Sequence, residues 1–287
     1  MQKIPIALIQ YACSRDIEAN TQKALRLTRT AAEDGAKIII LPELFNTPYF
    51  CQSINPEHFN WAIPKDDALF DAFSEIASRH ETVLAVPYFE RRSPGIYHNA
   101  MHIFDADGSR AGHYRKMHIP DDPGFYEKYY FTPGVNNFGA IDTEYITIGA
   151  LICWDQWFPE AARLCALKGA QLLIYPTAIG TLPDEDDRQE DSYRSAWQTI
   201  QRSHAIANGC FVAAVNRVGQ EGSIRFWGRS FISGPFGQNI ARADKSEKIL
   251  HGELDMKAIE ETRRIWPFYR DRRIDKYEGL QKRFDGD

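Results

Sequence analysis

The chain has 287 residues, of which 44% are hydrophobic and 25% charged, with a formal net charge of -5 at pH 7. This composition supports a sizeable core and excludes a disordered chain. Mild acidity disfavours a phosphate backbone as partner, and no apolar run reaches the roughly 18–20 residues of a membrane span, so neither nucleic acid nor membrane is expected.

The start, MQKIPIALIQ, lacks the apolar core and cleavage site of a signal peptide and reads as a strand over 4–10. Residues 18–34 follow as an amphipathic helix, with Ala24, Leu25, Leu27, Thr28 and Ala31 at helical spacing and Gly35 as its stop. A short apolar strand over 37–41 has the character of one buried on both faces. A second amphipathic helix is expected over 68–80 and a strand over 82–88. Strands over 98–104 and 112–115 flank Asp105-Ala106-Asp107-Gly108, a hairpin turn. A buried strand over 145–152 precedes a helix from Pro159 to about Gly169. A strand over 171–175, a helix over 193–208 and a strand over 210–216 come next. Strands near 229–232, 238–243 and 248–254 close the pattern, which is α/β with parallel and hairpin connections.

Cys13, Cys51, Cys153, Cys165 and Cys210 are scattered, with no C-x-x-C pair. That argues against a disulfide framework or structural zinc and for a reducing cytoplasm. His98 and His102 share an H-x-x-x-H spacing, but on a strand and without the glutamate of a zinc helix, so no metal is expected. No phosphate-binding glycine motif implies a nucleotide cofactor.

Three reactive residues stand just after predicted strands: Glu43 after KIIILP, Lys116 after GHYR, and Cys153 after YITIGALI. Sites in open α/β sheets gather at the carboxyl ends of strands. A deprotonated thiol is a strong nucleophile, a carboxylate can take its proton and later activate water, and an ammonium can hold the developing oxyanion. The Trp154 N–H is a candidate second oxyanion donor. A buried cysteine is ordinarily an inert small hydrophobe, Glu43 could cap a turn, and Lys116 could be a solvated charge. Spacing alone does not bring the three together.

The segments LPELFNTPYF (41–50), YRKMHIPDDPGFYEKYYFTPG (114–134) and GALICWDQWFPEAARLCALKGAQLLIYPTAIG (149–180) resemble the nitrilase superfamily of carbon–nitrogen hydrolases. The resemblance implies Glu43 as general base, Lys116 as oxyanion-stabilising lysine, Cys153 as nucleophile and Glu127 as the residue that orients the lysine. It implies a single-domain, four-layer α-β-β-α sandwich over 1–262. A tail over 263–287 would pack on the domain or on a neighbouring subunit of a homo-oligomer, a dimer or larger. No metal or organic cofactor is implied. CWDQWFPEAAR (153–163), YPTAIG (175–180), the insertion after Gly180 and SFISGP (230–235) resemble the branch that cleaves the ureido bond of N-carbamoylputrescine to putrescine, ammonia and carbon dioxide. Hydrolysis of another carbamoyl-amine, a carbamoyl amino acid, an amide or a nitrile is the alternative. A non-catalytic polyamine-binding protein is a remote one.

Substrate charge has an independent sequence argument. Residues 184–191, DEDDRQED, hold six carboxylates and one arginine after TAIGTLP. An acid there, Glu185 or Asp187 for instance, would attract a small cationic substrate. The bland reading is a solvated loop with Asp191 or Ser192 as a helix N-cap. Tyr49, Phe125, Trp154 and Trp197 are candidate walls of a channel for a four-carbon chain, although core packing is the default for each.

Overall fold

The computed structural model describes residues 3–284 and 286. In chain order the strands and helices are β1 (Lys3–Gln10), α1 (Ile17–Glu33), β2 (Ile38–Ile40), α2 (Leu69–His80), β3 (Val83–Ser93), β4 (Ile96–Phe104), β5 (Arg110–Arg115) and α3 (Glu127–Tyr130). Then come β6 (Ile148–Ala150), α4 (Pro159–Leu167), β7 (Leu172–Pro176), β8 (Gly180–Thr181), α5 (Asp187–Asn208), β9 (Phe211–Val215) and β10 (Val218–Glu221). The chain ends with β11 (Ile224–Trp227), β12 (Phe231–Ser233), β13 (Asn239–Arg242), β14 (Lys248–Asp255) and α6 (Lys257–Ile265).

Two sheets carry the fold. One has the order β14-β1-β2-β3-β4-β5 and the other β13-β12-β9-β7-β6. Each is parallel where its early strands meet, β1-β2-β3 and β6-β7-β9, and antiparallel toward its later ones. Strand alternation explains the layers. On β1, Ile4, Ile6 and Leu8 join the core shared with Leu172, Ile174 and Val212 of the other sheet. Ala7 and Ile9, pointing the other way, pack with Ala24 and Leu25 of α1 and Phe70 and Phe73 of α2. Helices α4 and α5 pack on the second sheet through Ala161, Ala162, Cys165 and Ala205. The result is the α-β-β-α sandwich expected.

The helix ends follow local chemistry. Asp16 caps α1 by accepting the Ala19 N–H at 3.0 Å, and Gly35 follows at φ 91°. α5 starts earlier than expected. Its N-cap is Asp186, not Asp191 or Ser192: Asp186 accepts from Arg188 and Gln189 N–H, and the Gln189 side chain accepts from the Asp186 N–H. This reciprocal capping box turns half of the acidic run into helix.

Three other differences matter. The strand expected over 145–152 forms ladder pairs only at Ile148–Ala150, because the chain leaves the sheet to throw Cys153 into a turn. A small sheet of order β10-β11-β8 was not anticipated, since residues 218–227 mix charged and apolar side chains without a clean period. Helix α6 runs through the boundary drawn at 262/263, and regular α-helix ends at Ile265. No helix among the described residues is long and apolar enough to cross a membrane.

Candidate active site

Glu43 lies three residues beyond β2, Cys153 three beyond β6, and Lys116 directly beyond β5. The first and last of these belong to one sheet and Cys153 to the other, so the site is assembled where the carboxyl ends of both sheets meet. All three side chains are buried.

Lys116 Nζ donates to Glu43 Oε1 at 2.8 Å and to Glu127 Oε2 at 2.6 Å. Burial by itself would lower the lysine pKa, but Glu127 and then Glu43 override it and hold the ammonium charged. Glu127 opens α3, and burial pushes its carboxyl up to about 7 against the pull of Lys116. Glu43 Oε1 also accepts from Asn99 Nδ2 at 2.7 Å, while Oε2 is buried with no hydrogen-bond partner among the described residues. One oxygen is thus engaged by two donors and the other by none among the described residues.

The Cys153 thiol is pushed well up by burial, then by Glu43; Lys116 pulls it down, Glu127 pushes it up, and a backbone hydrogen bond from Ala178 pulls it down. Its backbone sits at φ 43°, a left-handed conformation uncommon outside glycine. Leu44, next to Glu43, is at φ 51°. Strain of this kind marks sites where surrounding structure overrides local preference.

Several side chains that lay outside the sequence argument hold this arrangement. Asn99 faces Lys116 across the β4–β5 hairpin, with the Lys116 N–H on the Asn99 carbonyl at 2.8 Å; a register shift between Ile103 and Phe104 brings the two together, and a plain count from the Asp105–Gly108 turn misses it. Asp155 ties the Cys153 turn to the Lys116 segment. It accepts the Ile152 N–H at 3.0 Å and the Tyr114 hydroxyl at 2.7 Å, and its other oxygen meets the His118 N–H at 3.1 Å and Nδ1 at 2.7 Å. His118, which had no role in the sequence reading, also stacks on Phe158 at 3.7 Å between ring centroids. Gln156 Oε1 accepts from Trp197 Nε1 at 2.8 Å and Thr177 Oγ1 at 3.1 Å.

A cavity of about 600 Å³ opens over Cys153. Phe125, Trp154, Trp157 and Trp227 supply aromatic wall, and Asp122, Asp184 and Glu185 supply carboxylates. No lysine, arginine or histidine is among its described lining residues. Glu185, Phe125 and Trp154 therefore fall where the sequence argument put them. Three expected residues do not. Tyr49 is fully buried beneath Phe125 and spends its hydroxyl on Glu127 Oε1 at 2.8 Å. Trp197 is fully buried against Phe231, behind Gln156 rather than on the cavity. Asp187 points outward with a 98% exposed side chain, 3.8 Å from Arg225. His98 and His102 are buried on β4 and bond the Thr132 and Lys65 carbonyls. Among the described residues no group of three or more His, Cys, Asp or Glu could hold a metal ion.

The chain belongs to the carbon–nitrogen hydrolase family, whose model matches residues 5–264. It is 43% identical to a tomato (Solanum lycopersicum) N-carbamoylputrescine amidase over 96% of this chain and 94% of that protein. It is 40% identical to a Francisella tularensis citrullinase, over 99% and 100%. Among solved structures, a carbon–nitrogen hydrolase from Helicobacter pylori G27 superposes with a TM-score of 0.95 at 44% identity, covering 99% of this chain and all of that one.

Proposed function

We propose that this hydrolase cleaves the ureido C–N bond of N-carbamoylputrescine, giving putrescine, ammonia and carbon dioxide. The observation that carries the substrate is the cavity over Cys153, whose lining includes Asp122, Asp184 and Glu185, while Lys116 of the same cluster is already paired with Glu43 and Glu127. A distal ammonium is welcome there. A carboxylate, as on a carbamoyl amino acid or on citrulline, would be desolvated without a partner.

Glu43, through its free Oε2, takes the Cys153 proton as sulfur attacks the ureido carbonyl. Lys116 and the Trp154 N–H stabilise the oxyanion. Glu43 then returns the proton to the departing nitrogen, and putrescine leaves. Water activated by Glu43 cleaves the carbamoyl thioester, and the released carbamate decomposes to ammonia and carbon dioxide. Glu127 keeps Lys116 in place. Burial and the neighbouring Glu43 disfavour a standing thiolate, so attack and proton transfer proceed together.

The enzyme acts in a reducing compartment, a reading supported by five buried free thiols. Exposed Leu164 and Leu167 on α4, with Trp266 and Phe268 beyond α6, support assembly as a homo-oligomer.

Ammonia release from N-carbamoylputrescine, N-carbamoyl-β-alanine and citrulline tests the substrate. One ammonium–carboxylate contact, at about 2–3 kcal/mol, should favour the first by roughly 30- to 150-fold in kcat/KM. Neutralising Glu185 or Asp184 should raise KM for it, and Cys153→Ala should remove turnover with the fold intact. Equal turnover of the carboxylate-bearing substrates, or unchanged KM in both acid variants, overturns the assignment.

A further inference from the structure

We propose that Arg217 is a positioning residue that holds both carboxylates flanking Lys116. Arg217 lies two residues past β9, is fully buried, and is not among the residues lining the cavity over Cys153. Anything it does for the chemistry is therefore done through other groups.

Its guanidinium is wired in two directions. Toward Glu43, Nη2 donates to the carbonyls of Glu43 at 2.9 Å, Leu44 at 2.6 Å and Thr47 at 2.9 Å, and Nε reaches the Glu43 carbonyl at 3.2 Å. Toward Glu127, Nη1 donates to both Glu221 oxygens at 3.0 and 2.9 Å. Glu221 Oε2 accepts the Tyr49 N–H at 2.6 Å, and the Tyr49 hydroxyl donates to Glu127 Oε1 at 2.8 Å. One arm reaches the backbone of Glu43 directly; the other reaches the Glu127 carboxylate through Glu221 and Tyr49.

The segment that carries Glu43 needs such an anchor. Residues 41–47 are buried and form neither helix nor strand, and Leu44 is held at φ 51°. Buried carbonyls outside a ladder must find donors elsewhere. A planar fork can serve several at fixed angles, whereas an ammonium is a point donor. Glu221 is itself 6% exposed and compensates the guanidinium charge. Removing the fork would let Glu43 drift relative to Lys116 and Cys153, and would slacken Tyr49 on Glu127. Small displacements of a proton-transfer group cost rate rather than binding.

The inference rests on Glu43 and Cys153 as base and nucleophile, and not on the identity of the substrate. Arg217→Lys keeps the charge and removes the fork. With N-carbamoylputrescine, kcat should fall by about 30-fold or more while KM stays within about twofold. The rate of Cys153 alkylation by iodoacetamide should change in its pH profile, a readout that needs no substrate turnover. Combining Arg217→Lys with Tyr49→Phe should cost less than the product of the single effects, because both act on one chain of contacts. The folded fraction, from circular dichroism and thermal unfolding, is measured for each variant.

The proposal is overturned by a kcat within twofold of wild type, by a loss that only tracks the unfolded fraction, or by KM rising at constant kcat. If the wild-type protein turns over none of the substrates, an unchanged alkylation profile in Arg217→Lys overturns it on its own. If Arg217→Lys does not fold, the Glu221→Gln and Tyr49→Phe pair carries the test, and multiplicative effects of the two overturn it.

Discussion

Glu127→Gln should move the Cys153 thiol and the turnover rate in opposite senses. Two carboxylates face one ammonium in this buried cluster, so its net field on the thiol is negative. That field joins burial in holding the thiol up. At an effective dielectric of about 20 a unit charge is worth about 4 kcal/mol at 4 Å, and about half that at twice the separation. Glutamine keeps the shape and removes the charge. Because Glu127 titrates at about 7, its charge is fully present in the alkaline range where the thiol ionises. The midpoint of Cys153 alkylation by iodoacetamide, followed by mass spectrometry of the labelled peptide, should therefore move to lower pH. Turnover should nonetheless drop by about 100-fold, because the 2.6 Å contact of Lys116 loses its charge and, with an amide in place of a second oxygen, its fixed direction. A midpoint that stays put or rises refutes the electrostatic argument. A lowered midpoint with full activity refutes the orienting role of Glu127.

Trp197→Phe keeps a ring in the core but strips one of the two donors to Gln156 Oε1. It should cost about 1–3 kcal/mol in urea unfolding with little change in KM, and a KM effect at unchanged stability would return Trp197 to the substrate channel. Glu90 is a buried carboxylate away from Cys153. Burial would raise it, but Arg115 at 2.7 and 2.6 Å, with His113, holds it down to about 2. Its ion pair should therefore stabilise the fold above the ordinary value of 4.5 and be lost as pH falls from there through about 2. Glu90→Gln should destabilise by about 3 kcal/mol at neutral pH, with the gap to wild type narrowing near pH 3; a constant gap between pH 7 and pH 3 defeats the argument.

Glu43, Lys116 and Cys153 were readable because each stands just past a predicted strand, and motif and position agreed. Aromatic candidates fared less well, since nearness to a motif does not say which way a ring points. Phe125 and Trp154 turn to the cavity, whereas Tyr49 and Trp197 turn inward to hold Glu127 and Gln156. The start of α5 was written in the sequence as Asp186 and Gln189 at capping-box spacing, but the surrounding charge run read as loop. From the sequence, Asn216-Arg217 stands only as a pair at a predicted strand end that resembles a family segment near the active site and reads as structural. The partners of Arg217 at Glu43 are backbone carbonyls 174 residues away, and a carbonyl leaves no trace in residue type. Asn99 was hidden by the register shift in the β4–β5 hairpin, and the contacts of Asp155 and Gln156 by the turn that Cys153 makes.

Because Glu43 and Lys116 issue from one sheet and Cys153 from the other, the atoms proposed to react meet only when the two sheets are docked face to face. Turnover is therefore a gauge of that docking rather than of helix and strand content. In a loosened, molten-globule-like state the strands could persist while the sheets slide by an ångström or two, and the enzyme would fall silent well before its far-ultraviolet signature changed.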